Sequence, residues 1–204
     1  MDNPGLASNS EKRMASVLKP RVTAQEYLAI ERKAECKSEY FDGEMFAMAG
    51  AKREHVLIVG NVGKRLGLQL DERDCEVYLS DMRLKVSPAG LYTYPDVVVV
   101  CGQPRFEGDE LDTLLNPKII AEVLSKSTEG YDRGKKFEHY RTLESLAEYV
   151  LIDQQKPHVE HYVRQADNRW LLSETNDLNA VIRLPSIQCE LSLAEIYRKI
   201  AFGG

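Results

Sequence analysis

The chain has 204 residues, 43% of them hydrophobic and 29% charged, a composition that buries a sizeable core without disulfide staples. No run reaches the roughly 18 apolar residues of a membrane span, and Met1 to Pro20 lacks the apolar stretch of a secretory signal, so neither an integral-membrane nor an exported protein is expected. With 27 basic against 32 acidic residues the net charge is −5, which argues against coating nucleic acid by bulk electrostatics and less against an enzyme that gathers carboxylates around a metal.

Residues 1–20 mix Asn, Ser, Gly, Pro, Lys and Glu without periodicity and read as a mobile tail, leaving 21–204 as one domain. Cys36, Cys75, Cys101 and Cys189 are scattered without a CxxC pair, so they are expected as reduced, mostly buried thiols of a cytoplasmic protein. Thr23 and Glu26 form a capping-box pattern that opens a helix to about Ala34. The Asp42-Gly43 pair between Ser38–Phe41 and Glu44–Phe46 is a hairpin signal, because both turn positions tolerate positive φ. From about Arg53 to Arg73, Val59, Val62, Leu66 and Leu70 recur at helical spacing.

Cys75 to Val86 reads as one or two strands, the second alternating Met82, Leu84 and Val86 with Asp81, Arg83 and Lys85, one face buried and the other polar. Asp96 heads four consecutive valines, the pattern of a strand covered on both faces. Gln103 to Asn116 is acidic and loop-like, and Lys118–Leu124 is a strand. Ser127 or Thr128 caps a helix to about Leu143, and Tyr149–Asp153 returns as a strand. A hairpin follows over His158–Arg164 and Arg169–Glu174, and Ser192 with Glu195 opens a last helix with a second capping box. The order predicts an α/β protein with a mixed β-sheet flanked by helices and an N-terminal hairpin, not a strict βαβ array.

Glu122 is the anomaly. It shares a strand face with Ile120 and Leu124, and a carboxylate between two large apolar residues is costly to bury unless a cation or donor meets it. Asp96 is the same oddity at the head of its valine strand. If the two strands are neighbours the carboxylates converge, and hard oxygen ligands of that kind suit Mg²⁺ or Mn²⁺. The bland reading of either residue alone is a turn cap or an edge ion pair. On the following helix Phe137, Tyr140 and Leu143 form a packing stripe, with Asp132 and Lys136 one turn apart on another face. A lysine there either reaches Glu122 or belongs to a solvated basic face. His158 and His161 fall on opposite faces of a strand and do not suit a shared metal, and Gly60–Gly63 lies within a helical pattern without a phosphate-loop lysine. Trp170 reads as hairpin packing.

Three segments together resemble the PD-(D/E)XK nuclease superfamily: Tyr94-Pro95-Asp96-Val97-Val98-Val99, Ile120-Ala121-Glu122-Val123-Leu124-Ser125, and Tyr131-Asp132 to Tyr140. More narrowly, with Glu39–Glu44, His55, Asp81–Leu84 and Glu148–Asp153, the chain resembles the Uma-two branch over roughly residues 22 to 165. The resemblance implies a restriction-endonuclease-like fold and a Mg²⁺- or Mn²⁺-dependent endonuclease acting on DNA. It places Asp96 and Glu122 as metal ligands with Glu39 as an additional acid, and Lys136 as the catalytic lysine. The motif's own lysine position holds Leu124, so Lys126 and Lys135 are fallbacks; Lys126 stands where the branch usually has Pro, and Asp81 and His55 fall at the site edge. A homodimer fits cutting of both strands of a duplex. The alternative is a catalytically inactive nuclease-fold module that binds nucleic acid or protein, for which charge-neutral changes at Asp96 and Glu122 leave ligand affinity nearly unchanged.

Overall fold

The computed structural model describes residues 21–86 and 90–202; the tail expected over 1–20 lies outside the described residues. Helix α1 (Ala24–Glu31) starts at Thr23, whose hydroxyl accepts from the Glu26 backbone N–H while the Glu26 carboxylate accepts from the Thr23 backbone N–H, the reciprocal box expected there. Strands β1 (Ser38–Phe41) and β2 (Glu44–Ala47) form the hairpin, with Asp42 and Gly43 at φ of 46° and 83°, the two left-handed positions of a tight two-residue turn. Helix α2 (Arg53–Leu70) buries Ile58, Val59, Val62, Leu66 and Leu70 along one stripe.

The remaining strands are β3 (Cys75–Leu79), β4 (Arg83–Val86), β5 (Leu91–Thr93), β6 (Val97–Cys101), β7 (Thr113–Leu114), β8 (Ile119–Leu124), β9 (Glu148–Asp153), β10 (Val159–Arg164), β11 (Trp170–Thr175), β12 (Val181–Leu184) and β13 (Cys189–Ser192). Between β8 and β9 run α3 (Glu129–Tyr131), a π-helical segment (Asp132–Lys136) and α4 (Phe137–Tyr140), and α5 (Leu193–Ile196) ends the order. The described strands form a six-stranded sheet in the order β11-β10-β9-β8-β6-β3, a five-stranded sheet in the order β2-β1-β5-β4-β7, and the β12-β13 hairpin. Strands β8 and β9 are parallel and the others of the larger sheet antiparallel, the mixed α/β arrangement expected. Among the described residues no helix is long and apolar enough to cross a membrane.

The larger sheet is covered on both faces. Val97 and Val99 of β6 and Ile119, Ala121 and Val123 of β8 pack with α2, β12, β13 and α5, whereas Val98, Val100, Ile120 and Leu124 pack on the opposite face with Leu84, Val86 and Tyr140. Period-two alternation therefore places Glu122 on the second face, toward α4 and the smaller sheet. Trp170 packs edge-on to Phe137 with Arg164 over its ring, as a hairpin residue.

Several expectations are corrected. Cys75 and Cys101 are not free thiols: they are register partners across β3 and β6 and are joined as a disulfide, leaving Cys36 exposed and Cys189 buried. Their 26-residue separation hid a direct cross-strand pairing. Reduction, or Cys75→Ser, is expected to lower stability by about 3 kcal/mol, shifting the thermal midpoint down by roughly 6–12 °C. An unchanged midpoint in reductant would show that the bridge contributes nothing. The second capping box also fails to form: Ser192 precedes α5 but makes no side-chain cap bond.

One residue of the polar face expected for β4 is buried too. Arg83, 3% exposed, donates to Asp112 at 2.7 Å, Thr113 at 2.9 Å and the Tyr94 hydroxyl at 3.0 Å. The acidic stretch over 103–116 supplies Asp112 and Thr113 because it is not wholly loop: β7 pairs in parallel with β4, with Asp112 immediately before it. Arg32 grips the same carboxylate at 2.7 Å, and this bond, reinforced by Thr113 and Arg83, holds Asp112 well below the usual carboxylate range despite its partial burial. A depressed carboxylate contributes stability that is complete above about pH 4 and is lost as pH falls toward its folded pKa. Asp112→Asn is accordingly expected to cost about 2 kcal/mol near neutrality and progressively less as pH drops below about 4, checked by urea unfolding across pH.

Candidate active site

Antiparallel pairing of Val97 with Ala121 sets Asp96, at the head of β6, opposite Glu122 in β8. The Asp96 backbone N–H donates to Glu122 Oε2 at 3.4 Å, and the Val123 N–H donates to Asp96 Oδ2 at 2.8 Å. The other Asp96 oxygen lies 2.8 Å from Nε2 of His55, presented by the first turn of α2. Two side chains 26 residues apart are thus locked together by strand register, with His55 orienting the first.

Lys136 comes from the helical crossover that returns the chain to β9. That crossover is not the uninterrupted helix to Leu143 predicted from the sequence; it widens into a π turn over Asp132–Lys136 and ends at Tyr140. Such wide turns are frequent at functional sites. Both Asp132 and Lys136 point inward, Lys136 being 6% exposed, so the solvated basic face does not apply to this lysine. Its Nζ lies 2.9 Å from Glu122 Oε1, 3.3 Å from Glu39 Oε1 and 3.7 Å from Asp132 Oδ1. Tyr140 donates its hydroxyl to Glu122 Oε1 at 2.8 Å, and Thr93 donates to Glu39 Oε1.

Three carboxylates therefore meet one ammonium, with Asp96 alongside. Burial pushes the Glu122 carboxyl up to about 8; Lys136 relieves this only in part, and Asp96 and Asp132 add to it. Asp132 is also raised, first by burial. Burial opposes the charge on Lys136, but Glu122, Glu39 and Asp132 outweigh it and hold the ammonium well above its ordinary range. The shifts on both partners point the same way, toward the protonated form.

Asp96, Glu122, Lys136, Glu39 and His55 are brought together. Asp81 is not; its side chain is 96% exposed and salt-bridged to Lys37 at 2.7 Å. Lys126 and Lys135 are exposed and make none of the contacts that join the cluster. Sequence reasoning missed Tyr140, read only as packing, and the depth of Asp132, whose i,i+4 spacing from Lys136 was the available signal. A cleft of about 470 Å³ lined by His161, Ser173, Glu174 and Arg183 lies against the opposite face of the larger sheet and contains none of these residues.

Comparison with known proteins identifies the family and the fold. The chain is 43% identical over 161 residues to the uncharacterized protein sll1609 of Synechocystis sp., covering 79% of this chain and 91% of that one. It is 34% identical over 183 residues to the uncharacterized protein slr1290 of the same organism, covering 90% and 95%. A crystal structure from Anabaena variabilis, described as a "putative nuclease belonging to DUF820", superposes with a TM-score of 0.70 at 19% identity, covering 86% of this chain and 97% of that chain. That likeness establishes the nuclease-like fold. Residues 24–195 match the Uma2 model, described as "Putative restriction endonuclease", and the chain belongs to that family.

Proposed function

We propose that this protein is a metal-dependent endonuclease that hydrolyses DNA phosphodiester bonds, with Asp96 and Glu122 holding Mg²⁺ or Mn²⁺ and Lys136 serving the reacting phosphate. The observation that carries this reading is the 2.9 Å approach of Lys136 to Glu122 beside Asp96, which restores an Asp–Glu–Lys triad although the lysine lies on a helix, 14 residues beyond the glutamate.

The donor set fits a hard divalent cation. Among the described residues no three His, Cys, Asp or Glu side chains stand ready as a complete ligand cage. A Mg²⁺ site does not need one, because this ion is usually held by one or two carboxylates plus water and substrate phosphate. Glu122 is raised first by burial and further by Asp96 and Asp132, and a bound cation would offset both by stabilising the ionised carboxylate. A bound divalent ion supplies Lewis-acid activation of the phosphate and of an attacking water.

The chain's own residues do the rest. His55 fixes Asp96 through Oδ1, and Tyr140 fixes Glu122 through Oε1. Lys136, kept ionised by its three carboxylates, positions the attacking water and neutralises charge developing on a phosphoryl oxygen. Glu39 and Asp132 hold the ammonium in place.

Cleavage of single-stranded and duplex DNA circles is expected with Mg²⁺ or Mn²⁺ and not in EDTA. Glu122→Gln is expected to lower the rate by at least roughly 10²–10³-fold, the scale of losing one preorganised electrostatic group. Cutting that persists in EDTA would sink the metal-dependent reading, and metal-supported DNA binding without cutting would favour the inactive module.

A further inference from the structure

The floor of the site is polar, but its rim carries aromatic rings. Glu39 and Phe46 are register partners across β1 and β2, so they share one face of the hairpin. On the other side of β1, the pairing of Tyr40 with Tyr92 sets Thr93 beside Glu39, and their side chains are hydrogen-bonded. Thr93, Glu39 and Phe46 thus form a row running outward from the core. Thr93 is fully buried, Glu39 is 16% exposed and Phe46 is 48% exposed. The row ends in a ring open to solvent next to the acid that touches Lys136.

The helical side ends similarly. Tyr131 immediately precedes the π turn and is 38% exposed, and Glu39, Lys136, Asp132 and Glu122 all lie near enough for their charges to bear on its phenol. Among the described residues neither Phe46 nor Tyr131 stacks against another aromatic ring, unlike Phe41, Phe137 and Tyr140 nearby. Two exposed rings, one on the hairpin face that carries Glu39 and one directly before the turn that carries Lys136, therefore border the site.

We propose that Phe46 and Tyr131 form a stacking rim for unpaired nucleobases, so that the site takes a DNA strand whose bases are free rather than an intact duplex. The inference rests on the nuclease reading above and names its substrate class. Every base offers a π face, and stacking on an aromatic side chain binds single strands without sequence readout. A duplex hides those faces, and its binding draws on a basic footprint. This chain carries a net charge of −5 and gathers four carboxylates at the site, so phosphate attraction is weak and stacking supplies the grip.

Fluorescence anisotropy with a labelled oligodeoxythymidine and a length-matched duplex, in EDTA so that nothing is cut, tests the proposal. Wild type is expected to bind the single strand at least about tenfold tighter than the duplex. Phe46→Ala and Tyr131→Ala are each expected to weaken it roughly 5–150-fold, the range measured for one stacked base. Phe46→Trp and Tyr131→Phe keep a ring and are expected to retain affinity, and thermal unfolding of all four variants establishes that they fold. Equal or tighter duplex binding, no strand binding, or alanine variants indistinguishable from wild type would overturn the proposal. The parent reading fails separately: Mn²⁺ binding that survives loss of the strand preference leaves a nuclease with another substrate, and strand binding without any metal site leaves a non-cutting single-strand binder.

Discussion

Wild-type protein titrated with Mn²⁺ in a calorimeter is expected to bind the ion, and Asp96→Asn and Glu122→Gln are expected to lose that binding while remaining folded. Both substitutions preserve shape and remove only the charge a hard cation requires. Glu122→Gln is the more informative, because an amide resembles the protonated carboxyl that burial already favours. A group raised in the folded state contributes stability that is full below about pH 4.5 and is lost as pH rises toward about 8. Glutamine does not titrate, so the variant without metal is expected to be no less stable than wild type at pH 8. The same proton competes with the ion, since ligands bind metal deprotonated. Wild-type affinity for Mn²⁺ is expected to rise by up to about tenfold per pH unit between roughly pH 6 and 8 and then level off. Three titrations that look alike would return Asp96 and Glu122 to a structural role and remove the basis for metal catalysis.

Lys136→Met is expected to cost about 3–5 kcal/mol, because it strands Glu122, Glu39 and Asp132 without the cation that compensates them. The stem of the lysine is nearly matched in volume, so packing is not what fails. The loss is expected to be largest in alkaline solution, to shrink as acid protonates the carboxylates, and to shrink again when Mn²⁺ is added, because a ligand that binds only the folded state stabilises it. Urea unfolding at several pH values with and without metal measures all three effects. A deficit independent of pH and metal would mean that Lys136 holds the fold by packing rather than by charge. Cleavage should disappear with this variant even under conditions that restore its stability, since a neutral thioether neither orients water nor meets developing negative charge.

Much of the site was legible in the chain because its signals are local. A carboxylate between Ile120 and Leu124 on one strand face, an Asp heading four valines, and an Asp-Gly turn beside Glu39 are each anomalies or punctuation that a few residues suffice to display. The strand and helix periods also survive into the structure, which is why β6, β8 and α2 lie where alternation and the apolar stripe put them. Other features depend on what stands opposite. Nothing near Cys75 reveals that antiparallel register brings Cys101 against it. Nothing in the alternation of β4 reveals that Arg83 is buried, because its partner Asp112 arrives just ahead of a strand of only two residues.

Periodicity and capping chemistry determined the first two helices, the N-terminal hairpin, the two-faced burial of β6, and the choice of Asp96 and Glu122 as residues out of place in a solvent-facing or purely apolar setting, whereas Lys136 was singled out by the family resemblance. Tertiary structure alone decided which of the lysines is buried, that Tyr140 is a hydrogen-bond donor as well as a core ring, and that Asp81 stays outside. It also decided that His55 grips Asp96 from 41 residues away. The reason is physical: propensity and burial pattern act over a few residues, whereas the pairing of a buried charge is set by strand register and by a π turn whose inward residues are chosen by what awaits them.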